Sequence, residues 1–184
     1  KDSLGRVPGT NFSVLRVKRD VLRKSTIGAL FANRSHSLAA PEGSNQSFGV
    51  DANLRFYNSI SLVGFYARTR TPGFRGNDRS YEGKFVYNAD RYGGTLEHLF
   101  IGRDFNPEIG FVQRRDSGRH VEQVNRSFVD LRFSPRPRAS RLIRKVTFST
   151  NMEYIVNQAG ALASRTVIGI VSPELQNGDQ LTLT

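Results

Sequence analysis

Two carboxylates and an amide fall close together at Asp104-Phe105-Asn106-Pro107-Glu108. Such oxygen donors suit calcium or a sugar hydroxyl, since hard cations take oxygen ligands. Their spacing does not match an EF-hand loop. A turn explains the same residues more simply: Asn-Pro starts it, Asp and Asn cap backbone N–H groups, and Pro107 fixes the corner. Asp104, Asn106 and Glu108 are therefore ligand-loop candidates standing against a structural reading that is preferred. His36, His98 and His120 lie in separate segments without ligand spacing, so no metal and no cofactor are expected. Glycoside cleavage needs two carboxylates across a sugar. Nothing singles out a pair among Asp51, Glu82, Glu97 and Glu108. Neither a Gly-x-Ser-x-Gly elbow nor a phosphate-cradling glycine loop is present. No catalytic residue is expected.

The elements that would hold these groups alternate with period two. Phe48, Val50, Ala52, Leu54 and Phe56 fall on one side of a strand; Gly49, Asp51, Asn53 and Arg55 fall on the other. Ser80–Asn88, 128–133 and 145–154 repeat the pattern. The windows 12–21, 27–34, 60–70, 95–101, 165–171 and 180–184 complete about ten strands, and no window shows a helical period. An all-β antiparallel meander is expected. Gly93-Gly94 reads as a bend or bulge in a strand.

The connections differ in length. Short ones at 22–24, 57–59 and 88–91 alternate with long ones at 35–46, 71–79 and 102–119, whereas 134–142 and 172–178 are both intermediate. Short turns on one side and long loops on the other are the habit of bacterial outer-membrane barrels. In that setting Asp51, Asn53, Arg55, Glu82, Lys84, Asp130, Arg132, Lys145 and Glu153 would face a wet lumen. Tyr57, Tyr81, Tyr87 and Tyr154 lie near strand ends, where aromatic girdles sit. A soluble sheet explains the alternation too, with its apolar side turned inward.

Composition narrows the choice further. Thirteen Phe and six Tyr against one Met and no Trp favour β structure. No cysteine is present, so no disulfide or thiolate metal site can form. No apolar run is long enough to cross a bilayer as a helix. The net charge of +11 raises nucleic acid or an anionic surface as a partner. Arginine is scattered along the chain rather than gathered in one patch, however, as on solvated faces, so nucleic acid is not expected. The densest basic cluster, Pro135-Arg136-Pro137-Arg138 with Arg141, Arg144 and Lys145, reads as a solvated connection stiffened by proline. Lys1 is not a start methionine and the chain stops inside an alternating run, so residues 1–184 read as one piece of a longer protein.

Five segments in order carry a family resemblance: residues 10–20, 25–31, Tyr66-Ala67-Arg68-Thr69-Arg70-Thr71-Pro72-Gly73, Asp104-Phe105-Asn106-Pro107-Glu108-Ile109-Gly110-Phe111 and Phe133-Ser134-Pro135-Arg136-Pro137. They resemble the barrel region of the bacterial outer-membrane family known as domain of unknown function 5916. Its members commonly carry an N-terminal sandwich similar to carbohydrate-binding family 9 modules. The resemblance implies a barrel segment in the outer membrane, with lipid as partner and glycan bound through a domain outside this sequence. It brings no catalytic residues. Transport, anchoring or surface binding is the expected role. Two other readings stay open: a soluble secreted all-β module binding acidic polysaccharide, and a glycan-degrading enzyme.

Overall fold

The computed structural model describes residues 9–39, 42–109 and 123–184. His120 and the end of the fourth resemblance segment lie outside them. Nine strands follow one another along the chain: β1 (Phe12–Val21), β2 (Ser25–Arg34), β3 (Asn45–Phe56), β4 (Ile60–Arg70), β5 (Arg79–Asn88), β6 (Tyr92–Ile101), β7 (Val124–Phe133), β8 (Ile143–Val156) and β9 (Leu162–Leu175). Each pairs antiparallel with the next in a single sheet, and the described residues form no helix. The sheet is not closed: β1 and β9 are its edges.

Two sequence-based expectations change here. The expected tenth strand at 180–184 amounts to two isolated bridges, Gln180 to Glu174 and Leu183 to Val171. Gly93-Gly94 makes neither bend nor bulge, because both residues pair in unbroken register with Arg132 and Leu131. The register shifts are in the β8–β9 ladder instead.

Cross-strand partners in a ladder share a face, so the registers sort the side chains. One face carries Val17, Ala29, Val50 and Tyr66, then Leu62, Phe85, Leu96, Val129, Met152 and Val167. The other carries all nine residues from Asp51 to Glu153 that alternation had grouped as lumen-facing. A one-residue slip would exchange the two sets.

Burial is asymmetric. The buried apolar side chains among the described residues are Ala32, Phe105 and Val124. The apolar face stands open: Val17 is 57 % exposed, Val50 55 %, Leu96 49 % and Val167 56 %. Fully burying one such side chain is worth roughly 1.5–3 kcal/mol, so a whole face left in water forfeits on the order of tens of kcal/mol. Net stability of a domain is only about 5–15 kcal/mol. The described residues leave this face largely uncovered.

Candidate functional site

The long connections, 35–44, 71–78 and 102–123, leave the same end of the sheet. Glu108 ties the first to the third. Its carboxylate accepts from Ser37 Oγ at 2.6 Å, Leu38 N at 2.8 Å and Ala39 N at 3.4 Å. Arg34 Nε lies 3.6 Å away, and the Glu108 side chain is 1 % exposed. Asn45, also buried, donates to Thr71 Oγ1 at 2.7 Å and to the Asn106 carbonyl at 2.8 Å. It accepts from the backbone N–H of Glu108 at 3.2 Å. Asn106 N in turn donates to Thr69 Oγ1 at 3.0 Å. Asp104 is buried beside Arg103, and its backbone N–H donates to Asn77 O at 3.0 Å. The three ligand-loop candidates thus lie close together, and the groups of Asn106 and Glu108 are taken up by a knot that fastens loops.

The polar face holds a second constellation. Lys84 Nζ is 3.1 Å from Glu97 Oε2. Glu97 Oε1 meets Arg126, whose other terminal nitrogen is 3.2 Å from Glu153 Oε1. One charge ladder therefore crosses β5, β6, β7 and β8, alternating in sign. Glu97 and Glu153 both lie opposite Phe128 in their registers, which sets Arg126 diagonal to each. Lys84 and Glu153 were among the expected polar-face residues. Arg126 was not, and Glu97 appeared only as one of four unassigned carboxylates. The missing signal was the β6–β7 register, since 97 and 126 are distant in sequence.

Glycines admit two more arginines on this face. A Cβ on Gly28 would lie 2.5 Å from the Arg16 guanidinium. That open space lets Arg16 cross β2 to Asp51, 2.5 Å away. A Cβ on Gly93 would sit 2.8 Å from Arg132, which reaches Asn88 Oδ1 at 2.9 Å and the Ala89 carbonyl at 2.7 Å. Asn53 is placed differently: its Oδ1 is buried with no hydrogen-bond partner among the described residues. Lys145 and Arg144 share Glu174, at 3.7 and 3.0 Å.

At the short-turn end Arg136 forks onto both oxygens of Asp90, tying the 134–142 connection to the 89–91 turn. The Arg136 hydrogen bond holds the Asp90 carboxyl below its usual range. The basic cluster is thus partly neutralised. No group of three or more His, Cys, Asp or Glu among the described residues is arranged to hold a metal ion.

No family model, curated protein or solved structure matches the chain.

On the apolar face aromatic rings collect in two rows. Toward the long loops lie Phe31 and Phe48, with centroids 5.1 Å apart, and Tyr81 and Phe100, stacked at 5.1 Å. Toward the short turns Tyr92, Phe133 and Phe148 stack in series at 5.2 and 6.3 Å. Between the rows lie mostly apolar residues such as Leu62, Leu96 and Val129, with His98 hydrogen-bonded to Ser127 at 3.0 Å among them. From Phe48 to Phe56 the strand covers roughly 26 Å at 3.3 Å per residue, or roughly 20 Å in height at the 35–45° tilt of outer-membrane barrel strands.

Proposed function

We propose that this chain is a wall segment of a bacterial outer-membrane β-barrel, serving transport, anchoring or surface binding in a larger carbohydrate-related protein. One observation carries the reading: an uncovered apolar face, edged by two aromatic rows, backs onto a face crossed by charge ladders. Outer-membrane barrels put an apolar band about 25 Å tall, with aromatic girdles, against lipid and keep polar groups inside. From β1 to β7, short turns on one end and longer loops on the other support the same reading, whereas the 134–142 and 157–161 connections depart from that pattern. Two open edges call for further pairing, because an unpaired strand edge aggregates. The resemblance to the outer-membrane family supports the carbohydrate link, with glycan held by a domain outside this sequence. Lipid is the immediate partner, nucleic acid is not one, and the segment is not catalytic.

The test is fractionation of the native cell, with heat-modifiable gel mobility as a second readout. Recovery in the outer membrane with a shift on boiling is the expected result. Recovery in the soluble fraction without a shift would overturn the barrel. It would favour the soluble module instead, whose +11 charge suits acidic polysaccharide.

A further inference from the structure

The apolar face is not uniformly bulky. Small residues at Ala29, Ala52 and Gly64 leave a groove of about 700 Å³ walled by Val17, Val50 and Tyr66, with Arg19 and Ile27 lining its short-turn end. A second depression of about 450 Å³ shares Ala29, Val50 and Tyr66 and continues toward the long loops, where Phe48, Arg68 and Arg70 line it. Together they run from an aliphatic floor to an arginine rim, and each has the size of a ligand site.

The rim has an unusual charge balance. Arg68 and Arg79 are direct partners in the β4–β5 register, a like-charge pairing that disfavours the sheet unless an anion joins them. Asp78 accepts from Arg68 Nε with both oxygens at 3.0 Å and offsets one of the charges. Arg70 lies over the Phe48 ring, 5.7 Å from its centroid. All three arginines share the apolar face and stand just beyond Tyr66 and Tyr81. A guanidinium forks onto phosphate oxygens readily.

Building on the barrel reading, we propose that this groove seats a phosphorylated lipid. Its phosphate lies among Arg68, Arg70 and Arg79, and one acyl chain runs down over Ala29, Val50, Ala52 and Gly64. Free phosphate would satisfy the arginines but leave the aliphatic floor empty, whereas an uncharged lipid would fill the floor but not the rim.

The test takes the protein from its native membrane in mild detergent, exchanges the detergent, and identifies retained lipid by native mass spectrometry. The native chain is expected to keep a phosphorylated lipid. Arg70→Gln with Arg79→Gln should retain at least about tenfold less, since each charge-assisted hydrogen bond is worth a factor of that order. The Lys counterparts should keep most of it, and Ala52→Phe should lower retention by blocking the floor. Heat-modifiable mobility verifies the fold of each variant, and Arg79→Gln alone replaces a double variant that lacks the shift. Unchanged retention in the Gln variants would overturn the proposal. So would retained lipid that is uncharged, or that is displaced by inorganic phosphate alone. Outer-membrane recovery with a mobility shift but no phosphorylated lipid would sink this inference and spare the barrel. Soluble recovery would sink both.

Discussion

Lys84 and Glu97 face each other directly across the β5–β6 ladder, with Nζ 3.1 Å from Oε2. Glu97 is 10 % exposed and also meets Arg126, so its charge leans on two cations. Removing one leaves a buried carboxylate half compensated. Arg126→Ala is expected to cost roughly 1–3 kcal/mol, less than the roughly 3–5 of a fully buried pair, because the Arg126 side chain is itself 33 % exposed. Replacing the pair together, as Glu97→Gln with Arg126→Met, should recover much of that loss. Urea unfolding in detergent of Arg126→Ala, Glu97→Gln, Arg126→Met and the double variant checks this, and additive costs of the two single changes would show that the ladder has no coupling.

The loop knot gives a local prediction. Glu108→Ala removes the acceptor of Ser37, Leu38 and Ala39 at once. Ser37 is buried, but Leu38 is exposed and Ala39 N keeps Ser37 Oγ at 3.1 Å, so the cost is about 1–3 kcal/mol for one buried donor, and it falls on a loop and not on the ladder. Limited proteolysis should therefore cut the 35–44 connection faster, while the heat-induced mobility shift persists. Unaltered cleavage would show that Glu108 does not fasten that loop.

The glycines fall into separate classes by what surrounds them. A Cβ at Gly102 would collide with the Asn77 carbonyl, and one at Gly64 would come within 2.7 Å of the Glu82 carbonyl. Backbone cannot swing aside as a side chain does, so Gly64→Ala should cost about 1–3 kcal/mol. At Gly169 nothing lies within 4 Å of the added atom, and Gly169→Ala should be neutral or slightly stabilising. Paired unfolding curves decide the order.

Asp90 and Arg136 supply a pH dependence. The Arg136 hydrogen bond holds the Asp90 carboxyl low, against a smaller upward push from burial. A carboxyl depressed in the folded state contributes stability above its unfolded value of about 3.9. That contribution fades as pH falls through the folded value. Asp90→Asn should be less stable than the native chain at neutral pH and equal to it in strong acid. High salt should shrink the difference, since both groups are exposed. A gap that persists in acid would contradict this.

Much of the sheet was legible because period-two alternation is local. The clean windows Ser80–Asn88 and 145–154 fall within Arg79–Asn88 and Ile143–Val156, and all nine polar-face residues share one side. What alternation cannot carry is the offset between strands. Arg126 acquires its role only once β6 and β7 are in register. Gly93 looked like a bulge because its neighbour across the ladder, Arg132, was not in view. Glu108 looked available because the groups it accepts from are about seventy residues away in sequence.

The two faces make opposite demands at adjacent positions, and β6 puts this most sharply. Leu96 lies on the apolar face, 49 % exposed, and pairs with Phe85 and Val129. Thr95, the residue before it, pairs with Val86 and Asp130 on the polar face. In lipid, Leu96→Arg should cost about 2–4 kcal/mol near the middle of the band, whereas Thr95→Arg meets Asp130 and should cost little. On a sheet surrounded by water the contrast would vanish, since surface changes usually stay within about 0.5 kcal/mol. Folding yield into lipid vesicles, scored by heat-modifiable mobility, reads the difference directly. A large loss for Leu96→Arg alone places this face against lipid; equal yields for the two variants would remove the main support for the barrel.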